Sequence, residues 1–165
     1  MADLAKHLEI KLKSAKRVAI LGIGSQLRQD DAAGMLVSSF IDESIGRGPL
    51  RRRIKVFYGG TAPENLTGEI KAFKPSHLII IDTIDAGKKA GSIYLFKPEE
   101  IAGGASFSTH KMPAKVLMRY FTGELKSETI LIGIQPKSIE FGKRASRSVI
   151  SSTGEVAAAI ARVLR

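Results

Sequence analysis

Carboxylate and imidazole side chains at four positions are the groups in this sequence best suited to metal or acid–base chemistry. Asp30 and Asp31 follow the first apolar run, Asp82 follows the third, and His110 comes just ahead of a predicted helix. In open α/β sheets, side chains that follow the carboxyl ends of strands meet in a crevice at one edge. Two carboxylates and one imidazole meeting there would form a three-ligand set for a divalent transition metal, leaving positions open for water or substrate.

Each of these residues also has a structural interpretation that the spacing alone leaves open. Either member of the acidic pair can cap the helix that follows it, and Asp82 can accept hydrogen bonds from loop amides. His110 can simply begin a helix. His7, on a predicted helix, and His77, at a predicted strand start, are expected to be structural or surface residues.

Several other catalytic arrangements are missing from the sequence. There is no cysteine, which excludes thiol nucleophiles, disulfides, Cys-type zinc sites and iron–sulfur clusters. The chain has no Walker loop, no His-Glu-x-x-His and no Gly-x-Ser-x-Gly. Gly22-Ile23-Gly24 lacks the third glycine of a dinucleotide fingerprint, because Leu27 occupies that position. Without a serine triad, an acyl-enzyme route is not expected.

The elements that must position these side chains alternate along the chain. Short apolar runs predict strands at residues 18–21, 54–58, 77–81, 92–96 and 129–134. Helical patterns predict helices at residues 2–16, 32–45, 64–73, 113–121 and 148–164, the second with Met35, Leu36 and Phe40 facing inward. The alternation predicts an α/β sandwich with a mostly parallel central sheet. The length favours a single domain over residues 1–165, and the Gly/Ser/Ala-rich residues 99–109 are expected to form a mobile loop.

The charge balance is basic, with 26 Lys+Arg against 16 Asp+Glu and a net charge of +10. Such a surface can be merely solvated, can dock an acidic protein partner or can bind nucleic acid. With 6% aromatic residues and no tryptophan, stacking platforms for nucleic acid are scarce, so nucleic acid is not the expected partner. No apolar stretch reaches the roughly 18 residues of a membrane span, and no secretory signal is recognisable, so a cytoplasmic location is expected.

Five segments, taken together and in order, resemble the motifs of the hydrogenase maturation endopeptidases. They span roughly residues 17–150, and the order and spacing match as well as the motifs themselves. The segments are GIGSQLRQDDAAG at 22–34, GGTAPEN at 59–65, IIIDTIDAG at 79–87, STHKMP at 108–113 and GIQPKSIEF at 133–141. The second and fourth segments look most similar to the branch that processes formate-hydrogenlyase-type nickel–iron hydrogenases.

The resemblance implies a peptide hydrolase with a three-layer α/β/α fold. Its expected activity is removal of a C-terminal extension from the precursor of a hydrogenase large subunit, after nickel has been inserted. Carried over by position, Asp31, Asp82 and His110 become the expected metal-contacting and catalytic residues. Nickel is expected to arrive with the substrate, and zinc or another divalent metal is the expected substitute.

Four further positions are expected to line the substrate channel in this interpretation, namely Gly59, Gly60, Thr61 and Gln135. The chain departs from the family pattern at two places in the first motif. Ser25 stands where the family usually has Asn, and Ala32 stands where it often has Gly. Neither departure removes a predicted ligand, but both lie in the loop that shapes the site.

Three other functions stay open at the level of sequence. A nucleic-acid or peptidyl-tRNA-acting hydrolase of similar layout would use the positive charge, although the acidic pair would repel phosphate. A non-catalytic nickel-binding assembly protein would bind metal without changing the precursor's mass. A general peptidase of the same fold would cleave unrelated peptides. The oligomeric state is likewise open.

Overall fold

A twisted sheet runs through the middle of the protein. The structure is a computed structural model that describes residues 2–96 and 114–165. The strands in these ranges are β1 (Val18–Ile23), β2 (Ile54–Gly60), β3 (His77–Thr83), β4 (Ile93–Phe96) and β5 (Glu128–Ile134). The α-helices are α1 (Ala2–Leu12), α2 (Ala33–Ile45), α3 (Thr67–Phe73), α4 (Ala114–Leu125) and α5 (Arg147–Leu164). Short 3₁₀ turns lie at Gln29–Ala32, Pro49–Arg52 and Pro63–Leu66.

The strand order is β2-β1-β3-β5-β4, and the first four of these strands are parallel to one another. Among the described strands only β4 pairs in the antiparallel sense, at the edge beside β5. β3 is central, and all seven of its residues are buried. A strand covered on both faces needs a continuous apolar run rather than an alternating one, which is what Leu78–Ile81 provides.

Helices cover both faces of the sheet and create two apolar layers. On one face α1, α2 and α5 pack with residues such as Leu8, Val37 and Val156. On the other face α3 and α4 pack through residues that include Ile70 and Phe121. The predicted three-layer α/β/α sandwich around a mostly parallel sheet is therefore confirmed.

The predicted element boundaries differ from the structure in ways that the packing explains. β3 continues two residues past its apolar run, because Asp82 and Thr83 still pair with β5. α1 ends at Leu12 rather than at residue 16. The inward face predicted for α2 was wrong, since Val37 and Ile41 are fully buried whereas Phe40 is 38% exposed.

Three sequence predictions stay predictions beside this fold. The loop predicted at 99–109 lies outside the described residues, and the single domain over 1–165 stays a prediction. Among the helices of the described ranges, none is long and apolar enough to cross a bilayer. The cytoplasmic location also stays a prediction.

Candidate active site

The candidate site lies at the carboxyl edge of the sheet, where β1 and β3 run side by side. The next strand along the chain after β1 is β2, on one side, whereas the next after β3 is β4, on the other side beyond β5. This divergence makes a topological switch point, the place where α/β sheets open a crevice for a ligand. The loop after β1 carries Asp30 and Asp31, and β3 itself carries Asp82 near its end.

Two glycines allow the loop after β1 to fold tightly over this edge. A Cβ atom at Gly34, in the first turn of α2, would lie 2.3 Å from the carbonyl oxygens of Ile23 and Ile81. Gly24 has a φ of +131°, and a Cβ there would lie 1.8 Å from the carbonyl oxygen of Asp31. Both positions accept only glycine, so α2 begins in direct contact with the ends of β1 and β3.

Backbone contacts fix the two predicted carboxylates at this edge. The Ser25 backbone N–H donates to Oδ2 of Asp31 over 3.0 Å, and the Thr83 N–H donates to Oδ1 of Asp82 over 2.8 Å. The Thr83 hydroxyl donates to the carbonyl oxygen of Asp30 over 2.9 Å, which ties the loop after β1 to the end of β3. Asp31 is 1% exposed and Asp82 is fully buried. The structure thus brings both carboxylates to the same buried edge.

The third predicted ligand, His110, lies outside the described residues, as does the whole of its motif at 108–113. Within residues 2–96 and 114–165, no three His, Cys, Asp or Glu side chains come close enough together to hold a metal ion. The complete ligand set of Asp31, Asp82 and His110 therefore stays a prediction, of which the structure describes the two carboxylates.

Asp30 performs a structural task that the sequence did not reveal. Its carboxylate accepts hydrogen bonds from the backbone of Lys137 (2.7 Å), Ser138 (3.3 Å) and Ser146 (2.6 Å), and from the Ser146 hydroxyl (3.0 Å). Ser146 is the N-cap of α5, so the buried negative charge also faces the positive end of that helix. No side chain caps α2, whose N-cap is Ala32. The capping interpretation of the acidic pair was therefore wrong.

Gln135 holds the loop that follows β3. Its Oε1 accepts from the backbone N–H groups of Ala86 (2.8 Å) and Lys88 (3.2 Å), and its Nε2 donates to Oδ1 of Asp85 over 2.9 Å. The bond from Gln135 Nε2 to Asp85 lowers the pKa of Asp85 below its ordinary value, and a bond from the Gly87 N–H lowers it further by a smaller amount. Gln135 is only 4% exposed. Its predicted contact with substrate stays a prediction beside this observed role.

The remaining predicted channel residues lie at the end of β2 and directly after it, next to the loop after β1. The Gly24 N–H donates to the carbonyl oxygen of Gly60 over 2.9 Å, just after a register shift in the β1–β2 ladder. Gly59 is buried, Gly60 is half-buried and Thr61 is exposed. These residues therefore border the same edge as the two carboxylates.

The other two histidines are structural or surface residues, as predicted. His7 is on the exposed side of α1, where its Nδ1 lies 3.0 Å from a carboxylate oxygen of Asp3. His77 is buried at the start of β3. Its Nδ1 lies 3.0 Å from the Ser76 hydroxyl and its Nε2 lies 3.4 Å from a Glu128 carboxylate oxygen. His77 is at the opposite end of β3 from Asp82, and His7 is on a separate helix.

Comparison with known proteins gives consistent matches. Residues 45–164 match the family model described as hydrogenase maturation protease. The hydrogenase 3 maturation protease of Escherichia coli K12 is 34% identical over 125 residues, 74% of each chain. A Methanocaldococcus jannaschii protein, provisionally named as a hydrogenase maturation protease, is 37% identical over 134 residues, 79% of each chain. The crystal structure of a [NiFe] hydrogenase maturation protease from Thermococcus kodakarensis KOD1 superposes with a TM-score of 0.84 at 30% identity, covering 96% of this chain and 98% of that one.

Proposed function

The chain belongs to the hydrogenase maturation protease family, and we propose that it removes the C-terminal extension of a nickel–iron hydrogenase large-subunit precursor after nickel insertion. It is an endopeptidase, and a hydrogenase precursor is its protein substrate. The observation that carries the site assignment is the pair of buried carboxylates, Asp31 and Asp82, at the switch point of a parallel sheet.

The donor set suits the metal that this substrate carries. Carboxylate oxygens together with an imidazole nitrogen are suitable ligands for Ni(II) and Zn(II). A buried carboxylate is stable only when hydrogen bonds or a cation compensate its charge. In this proposal Asp31, Asp82 and His110 contact the nickel of the precursor, and zinc or another divalent ion is a substitute. The protease thereby recognises whether its substrate has been loaded.

Nickel held by these residues would supply Lewis acidity toward the scissile carbonyl or a water molecule. The part played by the chain itself is orientation. The Ser25 N–H fixes one oxygen of the Asp31 carboxylate, and the Thr83 N–H fixes one oxygen of the Asp82 carboxylate. Each bond thereby also sets the direction of the other oxygen of the same carboxylate. Such outer contacts hold metal ligands in a productive geometry and strengthen their effect. Ser25 fulfils this role through its backbone N–H, so this contact does not depend on the side chain at that position.

The end of β2 offers space for the substrate's own backbone. At Gly60 a Cβ would meet nothing within 4 Å, and Thr61 is exposed next to it, whereas Gly59 is buried against Leu21 and Pro63. An extended peptide can therefore approach closely along this side. Gln135 contributes from the other side by holding the loop after β3, so that its effect on the substrate is exerted through that loop.

The decisive experiment incubates the protein with nickel-loaded and nickel-free precursor and reads the precursor mass. We expect trimming of the loaded form only. Asp31→Asn, Asp82→Asn and His110→Ala should remain folded and lose processing, whereas Asp3→Asn on the exposed side of α1 should process normally. Normal trimming by all three site variants would refute the site assignment. Equal trimming of both precursor forms would refute recognition of nickel.

A further inference from the structure

An apolar groove of about 560 Å³ lies beside the candidate active site. It is bounded by the loop after β1, the outer side of α2, the segment at 142–145 and the start of α5. Its apolar walls are Leu27, Leu36, Phe40 and Ile150. Leu27 is 63% exposed and Ile150 is 47% exposed, and the neighbouring Phe141 is 72% exposed.

The groove explains why α2 carries apolar side chains on two sides. Val37 and Ile41 face the core, whereas Leu36 and Phe40 face the groove. Large apolar side chains gathered at one exposed place leave hydrophobic surface in water, and such patches commonly mark sites of protein interaction. The outward stripe of α2 therefore has the character of a binding surface rather than of core.

The rim of the groove is positively charged. Residues 137–147 contain four basic side chains and one acidic side chain. Two of the basic ones, Lys143 and Arg144, line the groove itself. Lys143 forms an ion pair with Glu140, and both side chains are 60% exposed. Because an exposed ion pair is weak, Lys143 can readily exchange Glu140 for a carboxylate of a ligand. The complementary ligand carries apolar side chains flanked by carboxylates.

The groove and the candidate active site are built from the same loops. The Gly142 N–H donates to the carbonyl oxygen of Leu27 over 2.8 Å, joining the two walls of the groove. The Asp30 carboxylate, in the loop that carries Leu27, anchors the segment that carries Gly142, at Lys137 and at Ser146. A polypeptide seated in the groove is therefore held against the loop that continues into Asp31.

We propose that this groove docks a segment of the hydrogenase precursor in which apolar side chains are flanked by carboxylates. The inference rests on the proposed function and adds to it a binding surface separate from the predicted ligands. The apolar side chains fill the space between Leu27 and Phe40, and the carboxylates pair with Lys143 and Arg144. Docking there raises the occupancy of the scissile segment at the carboxylate edge.

The test measures processing of nickel-loaded precursor as a function of precursor concentration. The double variant Leu27→Ser/Ile150→Ser and the double variant Lys143→Glu/Arg144→Glu should each raise KM by about tenfold or more, the loss expected when central contacts of an interface are removed. The matched controls are Ile10 on α1, which is 66% exposed, and Lys13 directly after α1, which is exposed. Ile10→Ser and Lys13→Glu should leave KM unchanged.

Two results would overturn the proposal. One is a KM within about twofold of the wild-type value for both groove variants, because removal of hot-spot contacts has larger effects. The other is a groove variant that changes self-association in sedimentation while processing stays normal, since the groove would then bind a second copy of this chain. Failure of the wild-type protein to trim the precursor at all would instead refute the proposed function, so the two failures are distinguishable.

Discussion

At the scale of single residues, two adjacent aspartates have different surroundings and are expected to have different roles. Asp30 is fully buried and accepts four hydrogen bonds from the segment at 137–146. Asp31 accepts from Ser25, inside its own loop, and faces the edge that carries Asp82. Stability therefore depends on the first residue, whereas the proposed chemistry depends on the second.

Replacing Asp30 tests this division. Asp30→Asn should lower the free energy of unfolding by about 2–4 kcal/mol, because the buried donors lose a charged acceptor and meet an amide N–H₂ group instead. Urea unfolding followed by circular dichroism measures the change. Glu140→Gln, an exposed carboxylate in the anchored segment, is the control and should leave the midpoint in place. An unchanged midpoint for Asp30→Asn would contradict the anchoring role.

Gly24 offers a second test at the residue scale. Gly24→Ala should cost more than about 3 kcal/mol, since its φ of +131° disfavours a Cβ atom that would also collide with the Asp31 carbonyl. Any folded variant should process poorly, because relief of the collision moves Asp31. The control is Gly154→Ala in α5, where a Cβ meets nothing within 4 Å. This change should stabilise the protein by about 0.5–1 kcal/mol. Thermal unfolding measures the changes in stability, and the precursor mass measures the loss of processing.

At the scale of elements, the loop after β3 is held by the buried side-chain amide of Gln135, which directly follows β5. Gln135 contacts Asp85, Ala86 and Lys88, residues 47–50 positions away in the chain. The parallel pairing of β3 with β5 is what brings these groups together, because Thr83 stands opposite Ile134. The loop beside the candidate site is therefore positioned from a neighbouring strand rather than from its own sequence.

The pKa of Asp85 reports on this arrangement. The hydrogen bond from Gln135 has the largest effect in lowering this pKa, and the bond from the Gly87 N–H has the next largest. The ionised carboxylate therefore stabilises the folded protein at pH values above its ordinary pKa of 3.8. That contribution disappears as the pH falls through the lower folded-state value. Gln135→Leu should raise the pKa of Asp85 toward 3.8, as measured by NMR titration of the carboxyl carbon. An unmoved pKa in the variant would contradict the assigned hydrogen bond.

Elements were predictable wherever one local pattern determined the outcome. The apolar run of β3 predicted a buried central strand, and the alternation of strands with helices predicted the layered fold. The end of β3 was missed because Asp82 and Thr83 are polar yet stay in the ladder. The inward face of α2 was misassigned because Phe40 is apolar but lines a surface groove. No local pattern could reveal the task of Asp30, whose partners are 107–116 residues away.

At the scale of the whole molecule, the sheet and the charge serve different parts of the same function. The strand order creates one crevice, between β1 and β3, and the parallel strands deliver their loops to its edge. The chain as a whole carries a net charge of +10 in spite of this acidic edge. Carboxylates buried at the edge suit a cation, whereas the basic exterior suits an acidic protein surface. A substrate that brings both a metal and negative charge matches the two features together.

The basic exterior makes the capture of precursor sensitive to salt. We expect kcat/KM for nickel-loaded precursor to fall by about fivefold or more between about 50 mM and about 500 mM salt, because the Debye length shrinks and electrostatic steering weakens. The rate at saturating precursor should change little, since the proposed site carboxylates Asp31 and Asp82 are buried. A neutral osmolyte at matched osmolality is the control and should leave kcat/KM unchanged. If single-stranded RNA bound tightly at physiological salt and blocked processing, the charge would serve nucleic acid instead. A kcat/KM independent of salt would show that apolar contacts alone seat the precursor.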